Sequence, residues 1–309
     1  MLEILFNDKA AARAAQAVVL PIVESFAGKA GRSGGESLVL TPGLFMSHLH
    51  PECVCDAGEL YQAGVTSWTL AAYAQTVDEM IRSVGNVLET PLASEGGFRG
   101  LYLEGPFIGE GPKVPAAKVG EFLESVGAGV SAMVFSPERV EIELLSAVLR
   151  HKGVEGIVGY TKSDYKGASR AFEAGAHGLC LPFIAAEAPH HRKPGALGAA
   201  AVSGADVEMP VYPGGITQEQ MRLLAKAFRG RMRLAWHPGI HSGGTLGRGL
   251  PSGLAAGVAK SAGLSVREFL SEFSGRALEG TFVLFDECLN VLCVQIEGEL
   301  KYVSEGAKP

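Results

Sequence analysis

Two histidines one residue apart, His48 and His50, end the apolar run L-F-M-S-H-L-H. Alternate residues of a strand face the same side, so both imidazoles can converge on one point, and neutral imidazole is a common metal ligand. A pair of polar residues at a strand end is the plainer reading. Glu104 closes the run G-L-Y-L and precedes Gly-Pro. An acidic side chain there is poorly placed for a core and suits a metal ligand or a general base; a loop or helix cap is the alternative. His237 ends a further run, R-L-A-W-H. His190, His191 and Arg192 stand together before Lys-Pro-Gly, which fits either an anion or phosphate clamp or a solvated basic loop. His151 follows a helix-like segment and reads as a surface or capping residue; His177 and His241 give weak loop signals.

Eight short β-like runs could position these groups: 44–49, 65–70, 99–103, 131–135, 156–160, 178–182, 207–212 and 231–236. Between most of them lie segments with apolar spacings of three and four, at 76–88, 136–152, 163–175 and 216–228. Ser136 and Ser163 stand where helix N-caps belong, and Gly175 where a helix should stop. Eight strand–helix units over about 240 residues predict a (β/α)8 barrel across residues 43–280, with an open doubly wound sheet as the alternative. Closing a barrel makes the first and eighth strands neighbours, which would carry His237 to His48 and His50. Residues 1–42, with an Ala-rich helix and one strand, and residues 281–309, with a hairpin turning near 287–290, should pack together as a small β-containing subdomain. Two Gly-rich loops, 184–206 and 238–252, follow strands on the side where barrel enzymes place their chemistry.

Composition narrows the function. The chain has 309 residues, 47% of them hydrophobic and 19% charged, enough apolar material for one large α/β domain with a small appendage. A net charge of -6 leaves no broad basic surface, so nucleic acid is not an expected partner. No apolar run approaches the ~20 residues that cross a bilayer. The opening M-L-E-I-L-F-N-D-K lacks a basic-then-apolar leader, which makes the cytoplasm the expected compartment. The five cysteines are odd in number and scattered, and read as ordinary thiols.

Taken in order, the motifs resemble those of the N-acetylglucosamine-6-phosphate deacetylases of the amidohydrolase superfamily. The resemblance runs from P-G-L-F-M-S-H-L-H (42–50) through G-V-T-S-W (64–68), G-L-Y-L-E-G-P-F-I-G-E-G (100–111), S-P-E (136–138) and the stretch 158–178. It continues with H-H-R-K-P-G-A-L-G-A-A (190–200), G-G-T-L-G (243–247) and 283–302. It implies the barrel fold, a small phosphorylated amino-sugar substrate, a divalent metal and a homodimer. It also implies a phosphate contact at Arg192, in a substrate loop that includes His191. The departures are patterned. Where the family carries two further ligand histidines, this chain has Tyr160 and Leu181. Ile216 replaces a substrate-contacting histidine, His237 replaces the catalytic aspartate, and Met46 replaces an aspartate before the H-x-H. Leu and Ile cannot ligate a metal.

The resemblance thus leaves His48, His50 and His237, with Glu104, as an expected zinc set, and no ion between Tyr160 and Leu181. Occupancy should fall as pH drops through the ordinary histidine range near ~6.5. Glu104 and His237 are the catalytic candidates, and His191, Arg192 and Tyr160 the substrate-binding ones. Three readings stand open: a divergent metal-dependent deacetylase or related hydrolase; a catalytically silent barrel that binds a sugar phosphate or other anion; and a metal-free activity built on Glu104, Tyr160 and His237.

Overall fold

A computed structural model describes residues 2–29, 37–212, 215–237 and 249–305. The chain begins with β1 (Leu2–Ile4), α1 (Lys9–Lys29) and β2 (Leu38–Thr41). The alternating region runs β3 (Leu44–Leu49), α2 (Ala57–Gln62), β4 (Val65–Tyr73), α3 (Val77–Leu88), β5 (Phe98–Glu104) and α4 (Ala116–Val126). It continues β6 (Val130–Phe135), α5 (Ile142–Lys152), β7 (Glu155–Val158), α6 (Tyr165–Glu173), β8 (Gly178–Leu179) and α7 (Gly195–Ser203). Then come β9 (Asp206–Pro210), α8 (Gln218–Ala227), β10 (Met232–Trp236), α9 (Leu254–Ala262) and α10 (Val266–Phe273). The chain ends in β11 (Phe282–Asp286), β12 (Val291–Ile296) and β13 (Glu299–Val303).

Strands β3 to β10 close into a parallel barrel through the pairing of β10 with β3. The open-sheet alternative is therefore excluded. Outward-facing Leu44, Met46, Trp68, Leu101 and Trp236 pack under the helices in one large core. The barrel interior is lined by Ala71, Tyr102, Ala132, Val134, Ile157, Cys180 and Ala235. Several of these side chains are small, and the room they leave is occupied by the polar groups described below. Register breaks bear on the site. Against β4 the pairing of β3 jumps between Met46 and Leu49, and against β10 it shifts so that Ala235 faces His48. A regular pleat would put Met46 and His48 on one face; the irregularity lets Met46 enter the outer core while His48 turns inward against Tyr102.

The helices form where the spacing predicts, but their starts differ. Asp164, not Ser163, caps α6, accepting the Gly167 N–H at 2.8 Å. Ser136 caps nothing through its side chain. Its hydroxyl instead accepts from Gly109 N and reaches the carbonyls of Gly159 and Tyr160, both at 2.9 Å, tying the ends of β6 and β7 together.

The two chain ends share one five-stranded sheet, ordered β1-β2-β11-β12-β13. Alternation explains its two faces. Val39, Val283 and Phe285 join the barrel core, while Leu38, Leu40, Phe282 and Leu284 pack on Ala15 and Val19 of α1. The sequence reading is corrected twice here. The N-terminal stretch contributes two strands rather than one, and the C-terminal hairpin gains β13. Both additions are short edge strands; β13 is half-exposed and β1 only three residues long, so neither carries a strong apolar period. Most of the predicted loop 238–252, with His241 and G-G-T-L-G, lies outside the described residues.

Candidate metal centre

The C-terminal ends of β3, β5 and β10 bring His48, His50, Glu104 and His237 together. One ligand atom from each lies within 4.8 Å of the others, and all four side chains are buried. Glu104 is the hub. Its Oε2 accepts from His50 Nε2 at 2.7 Å and lies 3.5 Å from His237 Nε2; its Oε1 lies 3.4 Å from His48 Nε2. The imidazoles surround it, with ring centroids 4.6 to 5.3 Å apart. Tyr160, just beyond β7, donates its hydroxyl to Glu104 Oε1 at 2.6 Å.

The electrostatics are those of a cluster holding several charges out of water. Burial alone would push the His48 imidazolium down, but Glu104 on one side and Glu208 on the other outweigh it and raise its pKa to about 10. Burial likewise opposes the charged form of His50, and its bonds to Glu104 and Glu52 raise it. Burial would raise Glu104, but the three imidazoles hold it well below the usual carboxylate range. His237 goes the other way: burial lowers it, Glu104 only partly compensates, and His48 and His50 add repulsion.

These residues fit a divalent cation. Three imidazoles and a carboxylate are a zinc donor set. His48 Nε2 is a buried nitrogen that makes no hydrogen bond among the described residues, although it faces Glu104. Tyr160 and Leu181 both adopt left-handed backbone conformations, φ 49° and 36°, unusual for residues with a Cβ and characteristic of functional strand ends. Leu181 offers only its backbone here.

Two polar residues went unrecognised in the sequence. Glu208, inside β9, faces the barrel interior and places Oε2 3.0 Å from His48 Nδ1. Cys180, read as an ordinary thiol, lies fully buried with His48 and Glu208 in a second three-residue group of donor atoms within 4.8 Å. An acidic residue in the midst of V-E-M-P was the available signal, because an unpaired carboxylate is not left inside an apolar strand. His191 and Arg192 do not join the buried cluster. Both are exposed, on a tight turn closed by backbone bonds between His190 and Lys193 just before α7. Ile216 is partly buried against the outer core.

No family model matches the chain. Among curated proteins, the N-acetylglucosamine-6-phosphate deacetylase of Bacillus subtilis is 25% identical over 191 residues, which is 52% of this chain and 48% of that protein. The enzyme of the same name from Vibrio furnissii is 24% identical over 184 residues, 52% of this chain and 46% of that protein. The chain resembles the N-acetylglucosamine-6-phosphate deacetylases. At these identities the likeness is distant, and each match spans about half the length of the curated deacetylase. Solved deacetylase structures share the fold. The Mycobacterium smegmatis enzyme with bound N-acetyl-D-glucosamine-6-phosphate gives a TM-score of 0.70 at 20% identity, covering 86% of this chain and 88% of that one. The Thermotoga maritima enzyme gives 0.69 at 20%, covering 86% and 89%. No helix among the described residues is long and apolar enough to cross a membrane.

Proposed function

We propose that the protein is a divergent, metal-dependent amidohydrolase that hydrolyses an N-acyl amino-sugar phosphate or a related amide. The observation that carries this reading is the convergence of His48, His50, Glu104 and His237, all buried, at the end of a barrel shared with the deacetylases. A divalent ion, zinc by its donor set, would supply polarisation of the substrate carbonyl and acidification of the attacking water. His48, His50 and Glu104 would hold the ion. By the sequence resemblance His237 takes the place of the family's aspartate, and burial keeps it neutral near neutral pH. In that state it can complete the donor set or take the water's proton and return it to the leaving amine. Tyr160, fixed by its bond to Glu104, would contact substrate beside the carboxylate. His191 and Arg192, exposed on their turn, would meet the phosphate. A cytoplasmic homodimer belongs to the same reading, and light scattering tests the dimer.

The direct test is acetate release from N-acetylglucosamine 6-phosphate and other N-acyl sugar phosphates, with zinc added, comparing wild type with Glu104→Gln. Turnover lost in the variant supports the reading. The replaced aspartate favours one second reading, a silent barrel that binds the sugar phosphate. Ligand binding without turnover on any N-acyl sugar phosphate would select it.

A further inference from the structure

We infer that Glu208 is a positioning residue that fixes which nitrogen of His48 faces the metal, and that Glu52 does the same, more weakly, for His50. This inference rests on the metal-centre reading above. Glu208 projects from β9 into the barrel with 3% of its surface exposed. Each of its oxygens is engaged. Oε1 accepts the Tyr102 hydroxyl at 2.6 Å; Oε2 accepts the Leu181 backbone N–H at 3.2 Å and faces His48 Nδ1 at 3.0 Å. An ionised carboxylate only accepts hydrogen bonds, so the proton on the His48 edge facing it sits on Nδ1. Nε2 is then the nitrogen left for a cation, and Nε2 is the atom turned toward Glu104. The Tyr102 ring lies along the same imidazole, centroids 4.3 Å apart and planes within 19°. Edge and face are therefore both held.

His50 repeats the arrangement on the other side. Its Nδ1 faces Glu52 Oε1 at 3.0 Å and its Nε2 meets Glu104 at 2.7 Å. Glu52 is 54% exposed, so its hold is screened and weaker. Leu181 acquires a role here as well. Its side chain cannot ligate a metal, but its N–H, on a backbone held at φ 36°, anchors the carboxylate that orients His48. The competing arrangement is a second ion bound through His48 Nδ1, Glu208 and the Cys180 thiolate, which also come within 4.8 Å of one another. It would require Nδ1 without its proton and would take Glu208 from Tyr102 and Leu181.

The test uses the full chain, stripped of metal and titrated with zinc against a chromophoric chelator. Carboxylates behind metal-bound histidines typically contribute 10–100-fold in affinity, so Glu208→Gln should weaken zinc by about that factor at an unchanged single equivalent, and Glu52→Gln by less. In zinc-loaded protein labelled with 15N-histidine, His48 and His50 should carry their protons on Nδ1. If Glu208→Gln does not fold, Tyr102→Phe removes one of the carboxylate's anchors and should weaken zinc in the same direction. Wild-type affinity in Glu208→Gln, or in Tyr102→Phe where that variant replaces it, or a proton on Nε2 of His48, overturns the inference while leaving the metal centre intact. Two equivalents of zinc, the second lost in Cys180→Ser, overturn it in favour of the second ion. Failure of wild type to bind zinc removes both this inference and the reading beneath it.

Discussion

Loading the metal-free centre with zinc at the ordinary histidine value, about pH 6.5, should release about two protons per ion. The number follows from the charges packed around Glu104. His48, raised to about 10 by Glu104 and Glu208 against its burial, and His50, raised by Glu104 and Glu52 against its burial, are both imidazolium at that pH. His237, lowered by burial, is mostly neutral. Glu52, Glu104 and Glu208 are each lowered, against burial, by their histidine partners and are ionised. Two cations against three carboxylates leave one net negative charge. A dication bound by neutral imidazoles, with the same three carboxylates, leaves the same net charge. The ion therefore takes the electrostatic place of two protons. Around the ordinary histidine value the apparent affinity should climb by about two decades per pH unit, about 2.7 kcal/mol per unit. Above the raised range of His50 the slope should fall to one decade and persist toward pH 10, well beyond the ~6.5 that histidines in isolation suggest. Calorimetric titration in buffers of different ionisation enthalpy counts the protons directly. Binding without proton release, or an affinity flat from pH 5.5 to 8, would refute the charge assignment.

Metal-free protein should lose stability as pH rises from about 6.5 toward 10. The raised His48 contributes fully below its unfolded value and progressively less above it, whereas the lowered Glu104 and Glu208 lose their contribution as pH falls below about 4.5. Thermal melts from below about pH 4.5 to about pH 10, without zinc, check both limbs; a flat midpoint from about pH 6 to 9 would contradict the His48 limb. Gly159→Ala should destabilise the fold by about 1–3 kcal/mol, because a Cβ there would stand 2.6 Å from Val134 Cγ1 and 2.7 Å from Cys180 Cβ; urea denaturation measures it. Arg192→Ala should raise KM for a phosphorylated substrate at least about tenfold, as expected for losing a charge-assisted contact, and leave the unphosphorylated sugar unaffected. Equal effects on both substrates would remove the phosphate assignment.

Much of the centre was legible because its residues end strands. His48 lies near the end of β3 with His50 just beyond it, Glu104 terminates β5, and His237 directly follows β10; barrel closure then places the first strand beside the last. What the sequence concealed lies inside strands or depends on register. Glu208 is one acidic residue within an apolar run, and only the fold reveals that it faces His48. The irregularity that separates Met46 from His48 leaves no mark in a period-two pattern. Ser136 has the composition of a cap, yet its hydroxyl serves the carbonyls of Gly159 and Tyr160, because the turn after β6 delivers it to the end of β7. Short β1 and half-exposed β13 have too little apolar alternation to be seen without the partners they pair with.

The measurement that bears most directly on the metal centre is elemental analysis of protein purified without chelator and then incubated with zinc, beside His48→Ala treated identically. The expected result is one ion per chain in wild type, with nitrogen ligands at about 2.0–2.1 Å by X-ray absorption, and loss of that ion in the variant. Wild-type protein that holds no metal after zinc incubation, or His48→Ala that holds as much as wild type, would contradict it.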